Sequence, residues 1–481
     1  MSSLSRQLRE EIRGAILDAI PPDLSTHGTA PDPSYFYVPR RHAHALHPDN
    51  VLVRGIRGAG KSVWWAALQS VEHRKLLARV LPNVEVDENT KISAGFGISQ
   101  RPDEYPDKRV LAKILKSGVS PELCWRTVIA WHTWSAGTPL SELKTWSARV
   151  NWVNDNPEES AINFADYDAK LRKKGIRHLI LFDALDRVAE TWEAQRSLLS
   201  GLLSTLLEFR SYSSLRAKAF VRPDMLEATV TNFPDASKVT ANAADLKWQP
   251  LDLYSLLWQY LANSSAHGQS FRELSQKYLL NDWKKTSDVW RIPDDLRSNE
   301  EVQFDVFHEI TGPWMGRDAR RGLPYRWLPN HLADALGQVS PRSFLSALRT
   351  AAEHEQHIDP NYALHYEAIK RGVQAASQIR VDEVKEDFPW IGYVMEPLHG
   401  LVIPCTFDEI AVLWEASDIV NTLKRGEGLP PRRLSSGLLG LRRDLVELGL
   451  FLEMPDGRIN IPDVYRVGFG LGRRGGVKPV R

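Results

Sequence analysis

The sequence has little cysteine and no long apolar run. Its 481 residues include two cysteines, Cys124 and Cys405, which lie far apart and show no metal-ligand spacing. This usage excludes a disulfide framework and suits a reducing cytoplasm, where each cysteine is an inert buried thiol. No apolar stretch approaches the length of a membrane span, and the N-terminus lacks the core of a signal peptide. We therefore expect a cytoplasmic protein that does not use a membrane.

An excess of charge is also missing. The formal net charge is +1, so the chain as a whole is not basic enough to indicate nucleic acid binding. Any such function has to come from a local basic patch. The length predicts roughly two to four domains with ample core.

One motif is specific. Residues 55–62 read G-I-R-G-A-G-K-S, which is the phosphate-binding pattern G-x-x-x-x-G-K-S. Its glycines let the backbone wrap around a phosphate, with the amides pointing inward. An apolar run at 51–53 predicts the strand before the loop, and the run from 63 predicts the helix after it; the alternative is a chance glycine turn. The predicted nucleotide-binding residues are Gly55, Arg57, Gly58, Ala59, Gly60, Lys61, Ser62 and Val63.

The acidic half of the site is predicted at residues 178–187. Four apolar residues ending in Asp183 indicate a buried parallel strand, and ligands bind at the carboxyl ends of such strands. We expect Asp183 and Ser62 to hold Mg²⁺, Lys61 to reach the β and γ phosphates, and Asp186 to orient or deprotonate the attacking water. The alternatives are a helix cap for Asp183, and a cap or a pair with Arg187 for Asp186.

A further strand is predicted at residues 218–221, and Arg222 falls at its carboxyl end. An arginine there could sense the γ-phosphate or stabilise transition-state charge. The alternative is a surface arginine beside the turn-forming Pro223 and Asp224.

Together, the loop and these two strands resemble prokaryotic P-loop ATPases of the STAND and AAA+-related class. The resemblance implies a helical lid and a C-terminal winged helix after an α/β core with a parallel sheet. It also implies ATP and Mg²⁺ as cofactors. By the same resemblance, Arg342 in the segment 340–345 matches the lid arginine that touches the γ-phosphate, and its alternative is a solvent-facing arginine. We predict Lys61, Asp183, Asp186, Arg222 and Arg342 as the catalytic set.

Two departures from this class matter. The spacing between Lys61 and Asp183 is longer than a minimal core needs, and position 184 is alanine where typical AAA+ motors carry glutamate. The second departure favours a slow or partner-stimulated switch over a fast motor. No guanine-reading N-K-x-D motif stands out, which favours ATP without excluding GTP.

We predict four regions along the chain. Residues 1–34 form an N-terminal helix and linker, and the helix is expected to pack on the ATPase domain. Residues 35–250 form the P-loop domain, with a helical insertion at about 85–155. Residues 251–385 form the helical lid, and residues 386–481 form the winged helix with a basic, glycine-rich tail.

The tail carries the second signal. Two helical patterns precede two apolar runs that flank Asp456-Gly457, which indicates a β-hairpin and hence a wing. Basic residues could neutralise several phosphates of DNA or RNA there, or the module could serve packing or autoinhibition. The candidates for nucleic acid contact are Arg432, Arg433, Arg442, Arg443, Arg473, Arg474 and Lys478.

Three functions remain open at the level of sequence. The first is an ATP-binding and ATP-hydrolysing regulatory switch that oligomerises or recruits a separate effector protein, as STAND-like ATPases do in bacterial stress and phage-defence systems. The second is a DNA-binding ATPase of the initiator or loader type. The third is a non-enzymatic nucleotide-bound scaffold, suggested by Ala184. Partners would be further copies of the chain, an effector, or nucleic acid.

Overall fold

The computed structural model describes residues 4–24, 28–229, 238, 241–286, 288–354, 361–426, 429–474 and 477–479, with the side chains of 227–229 excepted. The chain divides into two compact units. The sheet unit comprises Ser25–Pro31 and Val38–Lys247, and the helical unit comprises Met1–Leu24, Asp32–Tyr37 and Trp248–Arg481.

A five-stranded parallel sheet forms the centre of the sheet unit. Its strands are β1 (Leu52–Arg54), β2 (Lys91–Phe96), β3 (His178–Phe182), β4 (Leu215–Val221) and β5 (Ala244–Asp245), in the spatial order β2-β3-β4-β1-β5. Every residue of β3 is buried, as expected for a central strand covered by helices on both faces. This is the α/β fold of a P-loop NTPase core.

The pairing of the strands determines which loops lie next to one another at the carboxyl edge of this sheet. Leu52 pairs with Ala219, and Phe182 also pairs with Ala219, so β4 lies between β1 and β3. The segments that leave these three strands therefore start side by side. The helices of this unit are α2 (Ala43–Leu46), α3 (Lys61–Gln69), α4 (Val71–Val80), α5 (Lys108–Lys116), α6 (Pro121–Thr133), α7 (Trp146–Asp155), α8 (Pro157–Lys173), α9 (Trp192–Phe209) and α10 (Pro223–Thr229).

The prediction of an insertion starting at about residue 85 needs correction. Residues 91–96 form β2, whose pairing with β3 runs from Lys91↔His178 to Phe96↔Phe182. That stretch belongs to the sheet because its backbone satisfies the open edge of β3. The additional helices between β2 and β3 are therefore α5 to α8.

The N-terminal helix α1 (Arg6–Ala19) packs within the helical unit, which corrects the expectation that it covers the ATPase domain. Its buried face includes Ile12 and Ile16, which share one apolar cluster with Leu253 and Leu348. The guanidinium of Arg349 donates to the carbonyl of Leu17 at 2.7 Å. The stripe at helical spacing predicted the helix, but a one-sided stripe does not identify the surface that covers it.

The predicted boundary at 385/386 does not separate two compact units. It falls inside one long helix, Tyr366–Asp387, which contacts the helix before it and the turn at residues 463–466. Because both neighbours share that helix, lid and tail form one unit. Its helices after α1 are α11 (Pro250–Ala262), α12 (Gly268–Gln276), α13 (Asp294–Ser298), α14 (Glu300–Thr311), α15 (Pro324–Leu332), α16 (Pro341–Glu353), α17 (Tyr366–Asp387), α18 (Pro389–Met395), α19 (Phe407–Ala416), α20 (Ile419–Arg425), α21 (Gly437–Glu447) and α22 (Asp463–Arg466).

The predicted hairpin near the C-terminus is present. Strands β9 (Leu452–Glu453) and β10 (Ile459–Asn460) pair antiparallel, and Gly457 has φ 83°, which glycine adopts without a Cβ clash. A bridge between Cys405 and Ile459 adds a third chain segment beside the hairpin. The remaining strands are β6 (Lys284–Thr286) and β7 (Val289–Arg291), paired antiparallel, and β8 (Val402–Ile403) and β11 (Gly472–Arg473), paired parallel.

No helix in the described ranges combines the length and the apolar character needed to cross a bilayer.

Candidate nucleotide site

The glycine-rich loop connects β1 to α3 at the carboxyl edge of the sheet. The amide of Gly55 donates to the carbonyl of Val221 at 3.1 Å, which ties the start of the loop to β4. A Cβ on Gly55 would lie 3.2 Å from Cβ of Ala59, so the loop closes tightly on itself. Gly60 has φ 96° at the N-terminus of α3, a conformation that an L side chain rarely adopts. The loop therefore has the shape that phosphate cradling requires.

Lys61 starts α3, and its side chain folds back under the loop. The ammonium donates to the carbonyls of Gly55 at 2.8 Å and Ile56 at 3.0 Å. Removal from water lowers the pKa of Lys61 to about 8, and the nearby carboxylate of Asp183 partly offsets this effect. A phosphate offers this ammonium stronger, charged acceptors than two carbonyls do.

Asp183 directly follows β3, where the sequence placed it. Its residue is 2% exposed, and Oδ2 is buried with no hydrogen-bond partner within the described chain. Burial raises the pKa of Asp183, while a hydrogen bond from the Ser62 hydroxyl and the charge of Lys61 act against the rise. A buried acceptor without a partner costs about 1–3 kcal/mol, and more when it is ionised. Neither a helix cap nor a turn accounts for that oxygen.

Asp183 and Ser62 fit a divalent cation. A carboxylate oxygen that lacks a partner and an adjacent hydroxyl are hard oxygen ligands of the kind that Mg²⁺ takes one or two at a time, its remaining positions being filled by water and phosphate. No group of three or more His, Cys, Asp or Glu side chains with metal-binding geometry occurs among the described residues. The fit is thus to a cation shared with a phosphate ligand.

Asp186 lies in a 3-10 turn, Leu185–Arg187, that leaves β3. The turn opens on Ala184, which has φ 56°, and a non-glycine residue there costs roughly 1–2 kcal/mol. Gln195 on α9 fixes the turn by donating to the Asp186 carbonyl at 2.8 Å. The helix that follows is capped by Thr191, so Asp186 does not serve as its cap.

Arg222 follows β4 and is 9% exposed, which is not a surface position. Its Nε and Nη2 donate to the two carboxylate oxygens of Asp224, each at 3.0 Å. Its Nη1 lies 3.8 Å from Oδ2 of Asp186. The structure thus brings Lys61, Ser62, Asp183, Asp186 and Arg222 to one edge of the sheet.

Arg342 belongs to the helical unit, in the first turn of α16. Its Nη1 donates to Oε1 of Glu383 at 2.6 Å, and Arg380 lies 3.3 Å from the other oxygen of the same carboxylate. Arg342 is therefore an ion-paired side chain and not a solvent-facing one. Its role as a γ-phosphate sensor stays a prediction.

Several basic residues of the tail are paired inside the chain. Arg433 binds Asp444 at 2.7 Å and also Glu447, and Arg442 binds Glu453 at 2.7 Å while lying over the ring of Phe407. These bonds occupy their guanidinium groups with carboxylates. Two of the predicted phosphate contacts therefore already have protein partners.

The remaining basic residues of the tail differ in exposure. Arg466, a basic residue that precedes Arg473 in the tail, is 0% exposed; its Nε donates to Asp463 at 2.7 Å and its Nη1 donates to the Leu471 carbonyl at 3.0 Å. It holds the tail together and is not available to phosphate. The exposed members of the predicted set are Arg443, Arg473, Arg474 and Lys478, while Arg432 is half-buried. Positions 475–476 and 480–481 lie outside the described residues.

Comparison with known proteins adds little to this geometry. No protein-family model matches the chain, and a search among curated proteins gives no match. A solved structure of the Aeropyrum pernix ORC2 protein, in ADPNP-ADP complexes, aligns with 97% of this chain and 95% of its own, at 12% identity and a TM-score of 0.39. We base neither the fold nor the function on a likeness at this level.

Sequence reasoning missed two residues of this edge. Asp224 clamps Arg222, and Gln195 anchors the turn that carries Asp186. The spacing Arg-x-Asp was visible in the sequence, but it was interpreted only as a turn. Nothing in the pattern around Gln195 distinguishes it from a buried polar residue of an amphipathic helix.

Proposed function

We propose that this protein is an ATP-binding and ATP-hydrolysing switch whose nucleotide state controls oligomerisation or the recruitment of a separate effector protein. The observation that carries the proposal is a buried oxygen of Asp183, beside the Ser62 hydroxyl and the Lys61 ammonium, that has no hydrogen-bond partner among the described residues. A fold tolerates such a group when a ligand completes it. A Mg²⁺-bound triphosphate supplies both the cation and the anion that this edge lacks.

Each residue has a role in that reaction. Lys61 would exchange two carbonyls for the β and γ phosphates, and the loop amides would hold the remaining oxygens. Mg²⁺ held by Ser62 and Asp183 would neutralise phosphate charge. Asp186 would orient the attacking water, and Arg222 would oppose charge on the γ-phosphate. For Arg342, a role in sensing the γ-phosphate is proposed on the resemblance of its segment alone.

Slow turnover is part of the proposal. Position 184 carries no acid, and its left-handed backbone starts a turn that brings Asp186 within 3.8 Å of Arg222. Asp186 therefore lies beside a cation that competes for its carboxylate with the water that it would orient. This supports a switch that stays in its ATP state for long periods. A setting in bacterial stress or phage defence rests on the resemblance of the motifs alone.

A DNA-binding ATPase of the initiator or loader type is the second candidate. It is favoured by the β9–β10 hairpin that follows α21, together with Arg443 exposed on that helix. Exposed Arg473, Arg474 and Lys478 extend the basic surface. The internal pairing of Arg433 and Arg442 weakens this candidate.

The test is light scattering after size-exclusion on the wild type and Lys61→Ala, with ATP and Mg²⁺, with and without duplex DNA. Phosphate release is read on the same samples. Lys75→Ala, an exposed lysine on the next helix, is the matched control. We expect assembly or turnover in the wild type and in the control, and a loss of at least about 100-fold in the rate of phosphate release in Lys61→Ala.

The outcomes separate the candidates. Assembly with ATP alone supports the switch, and activity that requires DNA supports the second candidate. Nucleotide binding without turnover supports the scaffold. Identical behaviour of wild type and Lys61→Ala in every condition overturns the proposed nucleotide site.

A further inference from the structure

The pair formed by Arg222 and Asp224 does not follow from the nucleotide motifs. The two side chains lie at the carboxyl end of β4, between the strand of the glycine-rich loop and the strand of Asp183. Both are nearly buried, with side chains 10% and 11% exposed. The contact uses two nitrogens and two oxygens, each pair at 3.0 Å. Such bidentate geometry fixes the plane of the guanidinium as well as its position.

This clamp decides which face of Arg222 is presented to the site. Because Nε and Nη2 bind Asp224, Nη1 is turned toward Asp186, 3.8 Å away. Asp224 itself is held on α10, immediately after the Arg222-Pro223 step, where proline fixes the backbone φ. The clamp therefore has a short, stiff connection to the residue that it orients.

We propose that Asp224 is a positioning residue that aims Arg222 at the γ-phosphate, and so sets how well the protein distinguishes ATP from ADP. The proposal rests on the proposed nucleotide site. A mobile arginine loses conformational entropy when it binds a phosphate, and this loss weakens the affinity. An arginine that is already held in place avoids that loss and therefore contributes more to binding. Asp224 does not touch nucleotide and acts on the γ-phosphate through Arg222; its charge also reaches Lys61, so the ratio of the two affinities is the readout and not either affinity alone.

A second Arg–Asp pair on the same strand gives a matched control. Arg216 lies at the amino end of β4 and donates through Nε to Asp49 at 2.8 Å. Its side chain is 13% exposed, close to that of Arg222. Removing this pair perturbs the same strand and an Arg–Asp contact at the amino edge, away from the proposed nucleotide site, although the Asp49 side chain is 53% exposed and accepts through one oxygen.

The experiment measures Kd for ATPγS and for ADP by calorimetry with Mg²⁺, and takes their ratio as the readout. The variants are Arg222→Ala, Asp224→Asn, the double variant, Asp49→Asn and Lys61→Ala. We expect Asp224→Asn to lower the preference for ATPγS by about tenfold or more, as supporting residues of binding sites do. The double variant should be no worse than Arg222→Ala, and Asp49→Asn should match the wild type.

Two results would overturn the inference: a wild-type ratio in Asp224→Asn, or effects of Arg222→Ala and Asp224→Asn that add in full. Should Asp224→Asn fail to fold, Arg222→Lys gives the same test, because lysine keeps the charge but cannot form the two-point clamp. It is expected to lose the preference, and a wild-type ratio in Arg222→Lys would also overturn the inference. If the wild type, like Lys61→Ala, binds neither nucleotide, the proposed function is wrong, and this inference fails with it.

Discussion

The two edges of the central sheet treat their charged groups in opposite ways. At the amino edge, Asp168 accepts four hydrogen bonds, from the amides of Ser213, Ser214 and Leu215 and the Ser213 hydroxyl. At the carboxyl edge, Asp183 keeps one buried oxygen without a partner in the described chain. Both are buried carboxylates of one unit, but only the second needs something from outside. This contrast is expected if Asp168 serves the fold and Asp183 serves the proposed nucleotide site.

The lysines repeat this contrast. Lys218 is fully buried and its ammonium donates to the carbonyls of Ala45, His47 and Asn50, which ties the segment before β1 to β4. All three N–H groups of this ammonium are used by the three carbonyls, so none remains to bind a ligand. Lys61 has two carbonyl acceptors and lies under a loop shaped for anions. Asp168 and Lys218 are thus fully hydrogen-bonded within the fold, whereas Asp183 and Lys61 keep capacity for a ligand, as the proposed nucleotide site requires.

The largest effect on ATP binding is expected for Asp183→Asn, which changes the carboxylate that keeps one oxygen without a partner in the described chain. The amide keeps the size of the side chain but loses the anionic metal ligand, so we expect Mg²⁺-dependent ATP affinity to fall about 10- to 100-fold. Folding should not suffer, since burial already raises the pKa of Asp183 and disfavours the charged form. Titration of ATP with and without Mg²⁺, beside a melting curve, measures both effects. A large drop in Tm with unchanged Mg²⁺ dependence would contradict the assignment.

Asp168→Asn should show the reverse pattern. Burial acts to raise the pKa of Asp168, but the amide hydrogen bonds hold it below its ordinary value. A depressed pKa stabilises the fold above the unfolded value of about 3.9, and that contribution disappears as the pH falls through the folded pKa. We expect a loss of about 1–3 kcal/mol near neutral pH and a weaker acid dependence of stability. Urea unfolding between acidic and neutral pH tests this, with nucleotide affinity expected to stay at the wild-type value.

The pH dependence of nucleotide affinity sharpens the difference between the lysines. The pKa of Lys61 is lowered to about 8, and phosphate binds only the charged form well. Above about pH 8 the free protein must take up a proton to bind, so Kd should rise by up to tenfold for each pH unit. Calorimetry at several pH values, in buffers of different ionisation enthalpy, should reveal that proton uptake. A flat profile from pH 7 to pH 10 would argue against Lys61 as the phosphate ligand.

The smallest predicted effects extend the comparison to the tail. Arg443→Ala removes an exposed charge, so any DNA affinity should fall by a few-fold and the salt slope should decrease by about one, with Tm unchanged. Arg433→Ala removes the cation from the buried carboxylate of Asp444, which then keeps the backbone amide of residue 433 as a donor, so Tm should fall instead. Fluorescence anisotropy at several salt concentrations and a melting curve on both variants separate the two. Equal effects of both variants on DNA affinity would contradict the assignment of Arg433 to the fold.

Sequence alone predicted the fold of the sheet unit well, for identifiable reasons. The glycines of the loop and the apolar run 179–182 of β3 are local signals, and both lie where the pattern predicts them. The sequence did not predict which distant elements pack against each other. The apolar stripe of α1 is the same whether a sheet or other helices cover it, and the break expected at residue 385 falls inside a helix that serves two neighbours. Pairing of arginines was not predictable either, since Arg433 and Arg443 look alike in the sequence.

Ala184 sets a limit on how this protein can be altered. The obvious substitution to accelerate hydrolysis is Ala184→Glu, because typical AAA+ motors carry glutamate at this position. With φ 56°, however, a side chain at 184 departs from a left-handed bend, and not from the extended backbone that continues a strand. Ala184→Glu would therefore add a charge without aiming it. Accelerating this chain would require rebuilding the whole turn, so the slow hydrolysis that we propose would follow from the path of the backbone and not from one missing functional group.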